Sequence, residues 1–150
     1  MRSRLLAFAI VALLCAPLAA PAELSKDLQH GLATAKYVYI SSTRKDGTLG
    51  AAAEIWFLWH DGAVYVGTRP GSWRVKRIKA GRPEAKIAVG SADGPSFAAT
   101  GSLVQDPKIQ ALILETFATK YPDRWPTHAA GFRDGFKDGS RVVVKYVPKT

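Results

Sequence analysis

The chain has 150 residues, with 21 Lys and Arg against 12 Asp and Glu, a net charge of +9, and one cysteine. That length suits one domain, and a lone cysteine excludes an internal disulfide framework. The cationic surplus favours anionic ligands but says nothing about fold, and no groove-reading motif is present to suggest nucleic acid as a partner.

The first 22 residues read as a secretory signal peptide. Arg2 and Arg4 form a positive start, Leu5 to Leu14 an apolar stretch, and Ala20-Pro21-Ala22 a small-residue cleavage site. Pro17 interrupts the run before it reaches the roughly 20 apolar residues that span a bilayer. Cys15 follows Leu13-Leu14 rather than the small residue of a lipoprotein signal, so no stable membrane anchor is expected. Cleavage removes the cysteine and leaves residues 23–150 as one cationic, thiol-free domain in the periplasm or outside the cell.

In the mature chain, Leu24, Leu28, Leu32 and Ala35 recur at helical spacing around Ser25, predicting a short first helix. Lys36–Thr43 alternates as a strand, followed by Gly50–Trp59 and Ala63–Thr68. The pairs Asp46-Gly47, Asp61-Gly62 and Asp93-Gly94 separate apolar runs, as hairpin turns do. A second helix is expected from Ser72 to Ala80, with Val75 and Ile78 inward and Gly81 as its stop. Lys86–Ser91 and Phe97–Val104 read as strands four and five. A third helix runs from Asp106-Pro107 to Lys120, with Ile109, Leu112, Ile113 and Phe117 as its stripe. Residues 122–139, interrupted by Pro and Gly, read as a loop with one helical turn near Thr127–Phe132. Arg141–Val147 is β-branched enough to be the last strand. The fold class is mainly β (α+β): a six-stranded antiparallel barrel with peripheral helices.

The stretch Thr68-Arg69-Pro70-Gly71-Ser72-Trp73-Arg74-Val75-Lys76-Arg77-Ile78 carries the chemistry. A strand that ends in Thr, a Gly-Ser turn and a basic helix form an anion cradle. Ser72 can cap the helix or give its hydroxyl to an anion, and Arg74, at an exposed helix start, can fork onto phosphate oxygens. The blander reading is a capped basic helix that binds nothing.

With these residues, Ile40-Ser41-Ser42-Thr43, Ile55-Trp56-Phe57, Gly101, Asp106-Pro107 and Lys120-Tyr121 resemble the pyridoxamine 5′-phosphate oxidase-like split-barrel family, in its single-domain flavin- or deazaflavin-dependent branch. The resemblance implies a six-stranded split β-barrel that forms a homodimer and binds FMN between subunits. It implies that Thr68, Ser72 and Arg74 hold the cofactor phosphate and that Ile55, Trp56 and Phe57 lie along the ring, with Trp73 covering a ring or the partner subunit. A deazaflavin coenzyme, haem or no cofactor are the alternatives, because an unfolded exported chain must acquire its ligand after translocation. The activity implied is that of an FMN-dependent oxidoreductase on a small substrate; the alternative is a non-catalytic binding protein for haem, flavin or an anionic metabolite. Gly81-Arg82-Pro83 departs from the family's Asn-Pro, and Glu54 stands close to a site meant for an anion.

No catalytic residue is assigned. His30, His60 and His128 are scattered without metal-ligand spacing, so no metal is expected. Trp56, Trp59, Trp73 and Trp125 suit core and interface packing better than ring stacking, Trp73 excepted. Asp123-Arg124 and Arg133-Asp134 read as solvated loop charges that could instead rim a substrate pocket. The signal reading predicts that exported protein begins at Glu23-Leu24-Ser25; amino-terminal sequencing that starts at Met1 would refute it.

Overall fold

The computed structural model describes residues 23–149, so the signal segment 1–22 and Cys15 lie outside the described residues. Four helices and seven strands follow in the order α1 (Lys26–Thr34), β1 (Val38–Ser42), β2 (Ala53–Ile55), β3 (Leu58–His60), β4 (Ala63–Thr68), α2 (Trp73–Lys79), β5 (Glu84–Val89), β6 (Ser96–Val104), α3 (Pro107–Lys120), α4 (Trp125–Asp138) and β7 (Val142–Pro148). The strands make one antiparallel sheet in the order β2-β1-β5-β6-β7-β4-β3. Its two edge strands are neighbours in sequence, separated only by Trp56 and Phe57. Two residues join the edges only if the sheet curls round on itself, so the fold is a split barrel whose seam lies between β2 and β3.

The strand count is seven rather than six because the second expected strand breaks at Trp56-Phe57. Its first part pairs with β1, Val38 opposite Ile55, and its second with β4, Leu58 opposite Tyr65. Ser25 caps α1 by accepting from the Leu28 amide at 3.3 Å, and Asp106 caps α3 by accepting from the Lys108 amide at 2.9 Å. The hairpin turns at Asp46-Gly47 and Asp61-Gly62 take positive φ at glycine, whereas the Asp93-Gly94 turn does not.

The loop expected over 122–139 is instead the fourteen-residue helix α4. Pro126 sits in the first turn, where its missing N–H costs nothing, and Gly139 ends the helix at φ +80. Gly131 and Gly135 each cost about 1 kcal/mol of propensity. Burial of Ala129 and Phe132 at helical spacing offsets that cost, and Gly135 lets the Arg141 stem lie against the helix.

The sheet is covered on both faces. Val38, Ile40, Phe57, Val64, Val66, Val75, Ile87, Val144 and Tyr146 fill the barrel interior. A second core beneath α3 and α4 joins Leu58, Tyr65, Ile109, Ile113, Phe117, Tyr121, Phe132 and Val143. β4 is therefore buried on alternate sides along most of its length.

At the end of α3, Lys120 Nζ lies 3.4 Å from the centre of the Phe57 ring and 3.5 Å from the Phe57 carbonyl. Burial pulls its ammonium down to about 8. Between about pH 8 and 10.5 the unfolded chain binds more protons here than the folded one, so the cost is complete below pH 8 and is relieved as pH rises. Urea unfolding from pH 7.5 to 9.5 should show wild type gaining on the order of 1 kcal/mol relative to Lys120→Met, after discounting for solvent screening. Parallel pH profiles would remove this assignment.

Candidate functional site at the seam

The seam exposes backbone that no strand pairs, and α3 supplies the partners. The Phe57 amide donates to the Tyr121 hydroxyl at 3.2 Å, and that hydroxyl donates to the Lys36 carbonyl at 2.8 Å. Burial pushes the phenol pKa well above its ordinary value, so the group stays a donor across the working pH range. Trp56 stacks on Tyr121, ring centres 4.2 Å apart and planes 10° from parallel, and meets Phe117 and His128 edge-on. Of the three residues assigned to the ring wall, Phe57 is buried in the barrel, while Ile55 and Trp56 keep a partly exposed face.

On the neighbouring corner β4 ends at Thr68, paired with Val142 of β7. The Ser72 amide donates to the Arg69 carbonyl at 3.0 Å, closing the turn into α2. Ser72 stands at the N-cap position but makes no cap bond; its hydroxyl is buried with no partner among the described residues. Arg74 is 9% exposed, and its Nη1 also lacks a partner. The expectation of an exposed Arg74 is thus corrected: four residues before Ile78, it shares the inward face of α2. Facing it, Tyr146 of β7 is 1% exposed with an unpartnered hydroxyl. Burial lowers the Arg74 pKa and raises that of Tyr146, while each charge favours ionisation of the other.

α2 has only seven residues, so any hold on an anion rests on these side chains rather than on the helix dipole. Each unpartnered buried group costs about 1–3 kcal/mol until something satisfies it. Arg77 is already engaged: its Nη1 donates to the Ser42 carbonyl at 2.9 Å and to the Ser42 hydroxyl at 2.7 Å, tying α2 to β1. Trp73 is 70% exposed, with Lys76 Nζ 5.0 Å and the Arg77 guanidinium 5.6 Å from its ring centre.

A cavity of about 350 Å³ opens beside the same corner. Ile55, Trp56 and Gly67 form one wall; Arg124, His128 and Phe132 of the α4 region, with Arg141, form the other. Gly67 is required there, since a Cβ would lie 2.6 Å from the Phe132 ring. Glu54 at the rim accepts from the Tyr39 hydroxyl at 2.7 Å. A larger depression of about 540 Å³ lies between Leu24, Trp59 and Lys145, but none of the unpartnered polar atoms lines it.

Thr68, Ser72 and Arg74 stand at the β4–α2 corner, Ile55 and Trp56 line the cavity beside Gly67, whose lining includes none of those three, and Trp73 is turned to solvent. Sequence reasoning missed Tyr146, hidden in a strand pattern, and Arg141, whose placement depends on α4; His128, weighed there among three scattered histidines, lines the cavity. Arg124, weighed as a loop charge, lines the cavity. His30 is exposed on α1, and His60 lies 3.6 Å from Asp61. Among the described residues, no three His, Cys, Asp or Glu side chains are grouped to hold a metal. No helix among them is long and apolar enough to cross a membrane.

No protein-family model and no curated protein matches the sequence. Solved structures similar to this chain are pyridoxamine 5′-phosphate oxidase-like split-barrel proteins. A Listeria innocua protein named for pyridoxamine 5′-phosphate oxidase is 20% identical over 85% of this chain and 95% of its own, with a TM-score of 0.61. A conserved protein of Mycobacterium tuberculosis is 14% identical, covering 87% and 83% of the two chains at a TM-score of 0.64. HutZ, the heme storage protein of Vibrio cholerae, is 10% identical over 86% of this chain and 92% of its own, with a TM-score of 0.58. The chain has the split-barrel fold that these proteins share.

Proposed function

We propose that this protein is an exported, FMN-binding split-barrel protein that works as an oxidoreductase on a small substrate. One observation carries the reading: the buried Ser72 hydroxyl and Arg74 Nη1, both unpartnered, stand at the corner where β4 turns into α2. A phosphate, like other oxyanions, satisfies a hydroxyl and a guanidinium together. The phosphate end of the cofactor therefore fits, with Thr68 at the turn and Tyr146 within the electrostatic reach of Arg74. The ring end has Ile55 and Trp56 as its apolar edge; Phe57 supports them from within rather than touching a ligand.

Bound there, the flavin supplies the hydride or electron transfer. Arg74 and Ser72 hold its phosphate, and Trp56, clamped by Tyr121, keeps a rigid dry wall beside it. A deazaflavin coenzyme would use the same phosphate contacts. The second reading, a non-catalytic haem binder, has one observation in its favour: His128 lines the same cavity as Arg124 and Arg141, so an imidazole and two cations share one wall. An absorption spectrum of protein purified from its native compartment separates the two, flavin bands against a Soret band.

The reading also includes a homodimer, with the exposed Trp73 covered by the partner. Light scattering at micromolar concentration should give twice the mass of one chain; a stable monomer would end the shared-site part of the proposal.

Arg74→Met keeps the stem and removes the fork. FMN affinity should fall roughly ten- to hundredfold, while riboflavin, lacking phosphate, should bind both proteins equally weakly. FMN at about 100 times its Kd should stabilise wild type by about 2.7 kcal/mol and the variant far less. Without ligand, the variant should be at least as stable as wild type, because an uncompensated buried cation is gone. Equal FMN affinity in the two proteins would overturn the cradle.

A further inference from the structure

The cavity under α4 holds chemistry that a phosphate cradle does not use. Its wall is aromatic: Trp56 and Phe132 lie 6.4 Å apart, centre to centre, with planes 7° from parallel. Its mouth is cationic. The Arg141 guanidinium sits 4.5 Å from the centre of the Phe132 ring, and Arg124 lines the opening from the residue that precedes α4. Burial and the nearby charge of Arg69 both pull the Arg141 pKa down, the mark of a cation among cations. Neither Arg124 nor Arg141 makes a side-chain ion pair among the described residues, which pair only His60 with Asp61 and Lys149 with Glu84. The one carboxylate at the rim, Glu54, is engaged by Tyr39. A partly buried arginine forced against another is stabilised by an anion, and a parallel aromatic pair provides a face for a flat ring.

We propose that this cavity binds a small planar aromatic carboxylate, its ring against Trp56 and Phe132 and its carboxylate between Arg124 and Arg141. A fused two-ring acid is well within 350 Å³. The arginines set the specificity: a neutral analogue of the same shape leaves them unsatisfied and loses the charge-assisted contacts. His128, edge-on to Trp56 at 5.3 Å, borders the same space. Naming this ligand the substrate rests on the cofactor reading above; its binding does not.

The probe is 2-naphthoate, titrated into the full mature chain without flavin and followed by tryptophan fluorescence, with 2-naphthalenemethanol as the neutral control. Wild type should bind the acid at least about tenfold more tightly than the alcohol, and more weakly as salt is raised. Arg124→Gln with Arg141→Gln should cost the acid at least about tenfold and leave the alcohol unchanged. Because Arg141 also packs on Phe132, the exposed Arg124→Gln alone and Arg141→Lys serve as folded controls: the first should lose affinity in part, and the second should retain most of it. Trp56→Phe should reduce the quenching, Trp125 beside Phe132 supplying what remains, while binding persists by calorimetry. Equal affinity for acid and alcohol, wild-type affinity in the double variant, quenching undiminished in Trp56→Phe, or no binding of the acid at millimolar concentration would each overturn the proposal. FMN titration of wild type and Arg74→Met is independent of every arm, so failure here and failure of the cofactor reading are told apart.

Discussion

The amide of Phe57 has to be satisfied for this barrel to exist. Two residues carry the chain from one edge of a seven-stranded sheet to the other, and neither edge can pair that amide. An orphaned buried N–H would cost about 1–3 kcal/mol at the point where the sheet must close. Tyr121 meets it from outside the sheet, and its own proton goes on to Lys36, just before β1. One phenol thereby ties both sides of the seam to the end of α3. The helix is delivered there by its own sequence: the Asp106 cap at one end and Ile109, Ile113 and Phe117 in the core along its length. α3 and α4 are thus the closure of the barrel rather than an ornament on it.

That closure places the chemistry. With Tyr121 fixed, Trp56 has a rigid partner, and the break in the strand becomes a wall instead of a loose loop. Glycine does the complementary work on the sheet. Gly67 admits the Phe132 ring to one face, and Gly101 admits Tyr146 and Ile78 to the other, where a Cβ would lie 2.8 Å from the Tyr146 ring. Tyr146 can therefore lie flat beneath α2, and its hydroxyl comes under the influence of Arg74. Two close approaches, one on each face of the sheet, position the cavity and the cradle.

Much of this was legible in the residues, and the failures have physical causes. α1, α2 and α3 carry caps or stops that act locally, and β4 and β7 are β-branched runs of strand length. α4 is hidden in the sequence because Pro126, Gly131 and Gly135 speak for a loop, and only tertiary burial of Ala129, Phe132 and Gly135 overrides them. The break in the second strand was hidden for the opposite reason. Ile55 to Trp59 is uniformly apolar, and nothing in such a run marks where its partner changes from β1 to β4. The burial of Arg74 was there to be read, since it lies four residues before Ile78 on a short helix. Alternation along a broken strand does not tell which of Ile55, Trp56 and Phe57 faces outward; the fold buries Phe57 and leaves Ile55 and Trp56 partly exposed.

The cationic corner sets stability against binding. Ser72, Arg74 and Tyr146 leave three buried polar atoms unpartnered within one small region, and Arg82 adds a fourth at its Nε just beyond α2. A chain selected for stability alone would fill such a region with apolar side chains, which are often neutral or better in place of buried charge. Retaining the polar set costs about 1–3 kcal/mol for each group left unpartnered; under the proposed phosphate cradle, a bound anion would return that stability. The same holds more weakly at the cavity mouth, where Arg69, Arg124 and Arg141 gather on a protein that is already strongly cationic. Self-repulsion concentrated at one corner is costly everywhere except where an anionic ligand cancels it.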